Sequence, residues 1–471
     1  MSSFLQLQER GTTLRREILA GFVTFATMAY IMSIQPAIMC GQMLGTDTGL
    51  DVHALVTTTC IASAVGCFLM GLVSRYPFAM APGMGMNVFV VCELFPFCAQ
   101  VLGRKMGDAA VWQLGLGVVF VAGAVFFLLS LLKLRAALVN LVSDSMKMAM
   151  CAGIGLFLAV LGLENGGVLV VPVPVTDELR QQVMGAGNGT VLTIPGLQTV
   201  LGNLMTIDVA IFALGLFVAV VLIVRKVPGA ILFGMIAAAI AAFFAGKMEF
   251  TQAVGMPADP MPIIGKLDIW GVFHHFFKIW PFIFALVIIG VFDTFGTALS
   301  VCLHVGAVQK DGTIPRLDRI FLADSGNTML GAFFGHSTMT IYLESIAGVK
   351  SGGRTGIVSF VVGVLFLLSL FFTPLFVAIS SYGPITASVL VLIGVMMAGS
   401  MREIQWDDMT EAMPAFMTVV GIPLFHSISD GILFGLVLYP FLKLFTGRAK
   451  ETTWGMYVLS LLLLSYVVFA K

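Results

Sequence analysis

Charge is scarce in this sequence. Only 11% of its 471 residues are Asp, Glu, Lys or Arg, and the 25 basic residues cancel the 25 acidic ones. There is no basic block or patch, which removes nucleic acid from the partners to consider. The seven cysteines include no CxxC pair and no zinc spacing, so they read as inert thiols within or beside apolar runs. GxxxxGK[ST], HExxH and GxSxG are also missing, which removes ATP hydrolysis and the usual hydrolase chemistry. DTFGT superficially resembles the phosphorylated loop of P-type ATPases, but Phe295 stands where that loop has lysine. No metal or cofactor is expected.

What fills the chain instead is apolar. Hydrophobic residues make up 59% of it and the mean hydropathy is +1.02, values outside the range of soluble domains. Many runs reach or approach the roughly 20 residues that a spanning helix needs. Candidate spans lie near 18–40, 53–74, 78–95, 111–133, 146–164, 207–225 and 229–246 in the first half. In the second half they lie near 278–304, 320–335, 337–350, 354–380, 384–401, 411–427 and 428–447, with a further apolar run at 454–470. The mixed, Gly- and Pro-containing stretch 165–205 reads as a long outer loop. The opening segment is polar, shows no cleavable signal peptide, and leads into a run long enough to stay in the membrane.

Arg10, Arg15 and Arg16 before the first span put the N-terminus in the cytoplasm. Counting alternately, Arg75, Lys133 with Arg135, Arg225 with Lys226, Arg316 with Arg319, Lys350 with Arg354, Arg402 and the Lys443–Lys450 group fall inside; Arg104 with Lys105 is the exception. Seven spans is an odd number, so a duplicated seven-span unit would insert its copies in opposite orientations. PGAILFGMIAAAIAAFF (228–244) and SDGILFGLVLYPFLKLF (429–445) share ILFG late in each half. The third segment, FAMAPGMGMNVFVVCE, is short and Gly/Pro-interrupted, and its counterpart GHSTMTIYLES is short and rich in small residues. Paired broken segments in inverted halves point to a transporter's binding site. The expected organisation is a cytoplasmic segment 1–17, a first repeat 18–247, a connecting loop 248–277, a second repeat 278–447 with the main site, and a C-terminal segment 448–471.

Three acids stand out because a carboxylate at the bilayer centre costs roughly 2.5–3.5 kcal/mol on insertion scales. Asp293, in VFDTFGTALS, reads either as an acceptor for ligand N–H groups or as a protonatable group, against a purely structural tie to a hydroxyl. Thr294 and Thr297 beside it can orient it or bind directly. Glu344 follows a Thr-Met-Thr-Ile-Tyr stretch that favours extended backbone. A helix starting near Glu344 would aim free N–H groups at a ligand. Asp324, beside Ser325 and Asn327, reads equally as a structural residue, a helix cap or polar helix contact, and as a functional acid. Asn87 would face the second broken segment, and His336 and His426 can titrate near neutral pH.

TFATMAYIMSIQPAI, APGMGMNVF, FDTFGT and ADSGNT…GHSTMTIYLESIAG together resemble the azaguanine-type adenine/guanine/hypoxanthine permease branch of the nucleobase–cation symporter 2 family, in collinear order from about residue 12 to the C-terminus. The resemblance implies an all-α polytopic membrane protein with about 14 transmembrane segments in a 7+7 inverted repeat. Core and gate domains, and segments 3 and 10 broken by short antiparallel β-strands, are implied with it. It also implies proton-coupled purine uptake across the inner (plasma) membrane, and a homodimer. On the family's motifs, Asp293, Glu344 and Asn87 fall in the substrate site, with the Tyr342 and Leu343 backbone at the ligand edge. Thr294, Thr297, Phe292, Ser337 and Thr338 complete that set. Asp324, Asp293, Glu344 and His336 form the proton-coupling set. Gln35, His336, Asn327 and Ile341 depart from the family's Asn, Thr, Gly and Ser. Those departures keep xanthine or a non-purine ring such as uracil open as substrates, and an organic-anion transporter on the same fold, which predicts a basic residue or uncompensated helix ends at the site, is a first rival. A membrane-embedded enzyme using Asp293 and Glu344 as acid and base is the rival from another class.

Overall fold

A computed structural model describes residues 7–132, 142–170, 200–250, 252–308 and 314–470. Most of the expected outer loop, the Lys133–Arg135 pair and the side chain of Phe292 lie outside the described residues. The chain is helical almost throughout. In the first half the helices are α1 (Leu14–Met28), α2 (Ile31–Met39) and α3 (Val52–Ser74), then, after strand β1 (Met80–Pro82), α4 (Met84–Leu102), which carries a π-turn at Val90–Leu94. They continue with α5 (Ala109–Leu131), α6 (Asp144–Asn165), the small ladder β2 (Leu169–Val170) with β3 (Val200–Leu201), α7 (Ile207–Val224) and α8 (Ala230–Phe244).

The second half begins with a short α9 (Ile269–His274) and the long α10 (Phe276–Val305). Next come α11 (Leu317–Phe333), strand β4 (Met339–Ile341) and α12 (Ser345–Lys350). It closes with α13 (Ile357–Ser369), α14 (Thr373–Ser380), α15 (Gly383–Ala398), α16 (Met409–Phe425), α17 (Ile428–Phe445) and α18 (Trp454–Ala470). Among the described residues, nine helical spans are long and apolar enough to cross a membrane. The protein is therefore a multi-pass membrane protein. One expectation needs amending: the connecting loop 248–277 contains α9, because Asp268 Oδ1 accepts the Gly271 N–H at 2.7 Å and starts a turn there.

Helix starts follow local chemistry. Asp51, Asp108, Thr206 and Ser427 each accept a backbone N–H from the first turn of α3, α5, α7 and α17. These caps satisfy donors that the helix itself leaves unpaired.

The helices pack as two groups. One contains α1, α3, α4, α5, α10, α11, α12 and α13; the other contains α6, α7, α8, α15, α16 and α17. In lipid, close packing rather than hydrophobic burial holds helices together, and small residues permit it. The α6–α15 contact shows why: a Cβ on Gly394 would lie 2.5 Å from the Gly155 carbonyl oxygen. Segments expected on one side of the membrane also meet. Arg10 Nη1 donates to the carbonyls of Arg75 (3.0 Å) and Arg354 (2.8 Å), and Glu17 accepts from the Arg354 N–H (2.8 Å) and the Thr355 hydroxyl (2.8 Å).

Candidate functional site

Inside the first group, β1 and β4 pair antiparallel, with Met80 opposite Ile341, Ala81 opposite Thr340 and Pro82 opposite Met339. Pro82 removes a helix donor, and Thr338, Thr340 and Ile341 are β-branched, so neither segment continues as helix through this point. Two further bonds lengthen the ladder: Gly83 N–H to the Thr338 carbonyl (2.9 Å) and Tyr342 N–H to the Ala79 carbonyl (3.0 Å). Non-helical backbone at this depth is tolerated only when buried in protein and bonded. Here Ser345 Oγ accepts the Ala79 N–H at 3.0 Å, and Ser359 Oγ donates to the Phe78 carbonyl at 2.6 Å. Beyond the ladder, the chain turns into α4 at Gly83 and into α12 at Glu344.

α10 packs against β4 and α12. It carries Asp293, half-buried, whose side chain makes no hydrogen bond among the described residues. Thr297 does not orient that carboxylate, because its hydroxyl folds back onto the Asp293 (2.8 Å) and Thr294 (3.2 Å) carbonyls. Thr294 faces α11, donating to Asp324 Oδ2 at 2.6 Å, with both residues buried. Asp324 thus closes a polar contact between α10 and α11.

Glu344 is held from α1's end of the chain: the Tyr30 hydroxyl donates to its Oε1 at 2.5 Å. The Tyr342 hydroxyl donates to the Pro82 carbonyl at 2.6 Å. The Tyr342 N–H is spent on the ladder, whereas no backbone partner takes that of Leu343 among the described residues.

A second group of polar residues lies where the broken segments meet α2. Ser337 Oγ donates to Asn87 Oδ1, and Asn87 Nδ2 donates to Gln35 Oε1. Gln35 Nε2 contacts His336 Nδ1 at 2.7 Å. All four side chains are 0% exposed. Thr338 Oγ1 is buried with no partner among the described residues. Asn327 stands apart, donating to the Gly66 carbonyl at 3.2 Å and joining α11 to α3. Tyr30, at Glu344, and Glu93, away from the ladder, make long-range contacts and are absent from the sequence-based set. Tyr30 is a phenol in mid-span, and a buried phenol usually has a partner, which is the signal that marks it. Glu93 accepts the Ile428 N–H at 2.5 Å at the start of α17, a contact that nothing local announces.

Residues 15–433 match the permease family. The chain is 36% identical over 477 residues to the guanine/hypoxanthine permease PbuG of Bacillus subtilis, covering 100% of both proteins. It is 33% identical over 464 residues to the adenine permease AdeP of Escherichia coli, covering 98% of this chain and 95% of that protein. Among solved structures, it resembles the transmembrane domain of the cyanobacterial bicarbonate transporter BicA, with a TM-score of 0.64 and 14% identity over 90% of this chain and 97% of that one. SLC26A9 gives a TM-score of 0.60 at 11% identity, over 92% of this chain and 66% of that one. At such identities the two structures speak for the fold alone. The matched family and these full-length sequence relatives are transporters and not enzymes, and the chain belongs to the permease family.

Proposed function

We propose that the protein imports purine nucleobases (adenine, guanine or hypoxanthine) by proton-coupled alternating access across the plasma membrane. The observation that carries this reading is the placement of Asp293 and Glu344 around one buried strand pair, in a chain similar end to end to purine permeases. Purines are planar and carry ring N–H donors beside ring acceptors. In this reading two carboxylates accept the N–H groups, while the Leu343 N–H donates to the other edge; the N–H groups of Ser345, Ile346 and Ala347 are taken by the carbonyls of Tyr342, Leu343 and Glu344. Thr297, Ser337 and Thr338 border the base, and Asn87 fixes the α4 side.

One of Asp293, Glu344 and Asp324 carries the coupled proton, loading it outside and releasing it inside. One pH unit contributes about 1.4 kcal/mol per proton, and 100 mV about 2.3 kcal/mol. Either is enough to concentrate a neutral base about tenfold. The two helix groups act as core and gate, and the full count is fourteen segments in a 7+7 inverted repeat with the N-terminus in the cytoplasm and a homodimeric assembly. An organic-anion substrate is disfavoured because the site is acidic.

The test is uptake of labelled adenine, guanine and hypoxanthine in purine-transport-deficient cells, with xanthine and uracil as competitors. Saturable uptake that collapses with a protonophore supports the proposal. Uptake of none of these bases contradicts it.

A further inference from the structure

Gln35 on α2 and His336 before β4 are 301 residues apart in sequence and touch one another at 2.7 Å. Their contact has a direction. Ser337 donates to the Asn87 carbonyl oxygen, so Asn87 offers its amide hydrogens onward. Gln35 Oε1 receives them, which leaves Gln35 with only its amide hydrogens to offer at the other end. With the amides so oriented His336 Nδ1 accepts, and the ring carries its proton on Nε2, a buried atom with no hydrogen-bond partner among the described residues. Each side chain in the series is fully buried, so a member that lost its partner would have no water to turn to. The series runs to Asn87, which follows β1, and Ser337, which precedes β4; both lie at the end of the ladder where Pro82 stands opposite Met339.

We infer that Gln35 and His336 work as one coupled positioning unit that orients Asn87 and Ser337 at the substrate site, so that the two residues act together on substrate affinity. This rests on the transport reading above. A shorter Asn at position 35, facing His336, leaves Nδ1 without its donor. A Thr at position 336, facing Gln35, leaves the amide hydrogens without the ring acceptor. Changing both removes the long donor and the ring acceptor together, so that neither is left facing the other's absence. The conservative exchanges at 336 separate the two nitrogens of the ring. The amide of Asn sits near the position of Nδ1 and that of Gln near Nε2, so only Asn preserves the acceptor that Gln35 meets.

The experiment uses the full chain in purine-transport-deficient cells, at matched membrane abundance, with whichever of adenine, guanine and hypoxanthine the wild type takes up best. KM and Vmax are measured for Gln35→Asn, His336→Thr, the double variant, His336→Asn and His336→Gln. Losing a buried hydrogen-bond partner raises KM roughly tenfold in each of the first two. Contacting residues are non-additive, so the double variant shows about tenfold rather than the product of the single effects. His336→Asn recovers most of the loss seen in His336→Thr, and His336→Gln does not. Single effects that multiply, equal behaviour of His336→Asn and His336→Gln, or losses confined to abundance and Vmax overturn the inference while leaving the transport reading intact. A wild type that takes up none of the three bases overturns the transport reading and the inference with it.

Discussion

Tyr30 and Glu344 lie 314 positions apart in sequence and share a hydrogen bond of 2.5 Å, so the first apolar span holds the carboxylate at the start of α12. Tyr30→Phe removes that donor and little else, and leaves Glu344 free to turn. We expect KM for nucleobase uptake to rise about tenfold, since a bond to a charged group contributes roughly 1.5–3 kcal/mol. Membrane abundance should stay near the wild-type level. Radiolabelled uptake against an immunoblot of the membrane fraction checks both.

Thr294 and Asp324 make the corresponding bond between α10 and α11, at 2.6 Å. Thr294→Val keeps the shape of the side chain and deletes the donor to a buried carboxylate oxygen. The expected cost is about 1–3 kcal/mol of stability, seen as a lower melting temperature of the purified protein in detergent. Because Asp324 is then less firmly placed, the pH dependence of uptake should shift as well; an unchanged melting temperature and pH profile would contradict this role.

How much of the fold is legible in the sequence depends on whether a feature is made locally or between distant segments. Span positions depend on local composition, and the runs near 53–74, 146–164 and 207–225 correspond to α3, α6 and α7 within a few residues. The extended stretch at Thr340 and Ile341 is also legible, because β-branching acts locally. Its partner Met80–Pro82 is visible only as a Gly/Pro interruption, since register belongs to the pair. Contacts such as Gln35 with His336, or Glu93 with the start of α17, depend on how distant spans pack, and no window of sequence contains both partners. Thr297 shows the converse failure: nearness in sequence suggests that it orients Asp293, yet its hydroxyl is satisfied by its own helix.

A charged cluster joins α16, α17 and the turn after it. Buried Lys443 meets Glu411 and Glu451 at 3.0 Å each, and Arg448 meets Asp408 at 2.8 Å. Hydrogen bonds from Thr410, with Arg448 and Lys443 nearby, pull Asp408 down to about 2 from 3.8, and Arg448 with Lys443 lowers Glu451. Depressed carboxylates contribute stability above their unfolded pKa and lose it as pH falls through the folded value. The cluster should therefore contribute evenly from pH 5 to 8 and fade between about pH 4 and 2. The melting-temperature difference between wild type and Arg448→Gln should be flat across the first window and vanish in the second.

Gly394 and Gly155 bring α15 and α6 into contact, with the Gly394 Cβ position 2.5 Å from the Gly155 carbonyl oxygen. Backbone cannot yield as a flexible side chain does, so Gly394→Val should force the helices apart. We expect loss of the monodisperse peak in size-exclusion chromatography, whereas Gly399→Ala, where a Cβ meets nothing within 4 Å, should leave it unchanged.

The central claim is that Asp293 and Glu344 bind a purine beside the β1–β4 ladder. The most direct measurement is uptake of labelled adenine, guanine and hypoxanthine by wild type, Asp293→Ala and Glu344→Ala at equal membrane abundance. The account predicts saturable, protonophore-sensitive uptake of at least one base by the wild type and its loss in both variants. Wild-type uptake that persists in both variants, or a wild type that takes up none of the three, would contradict it.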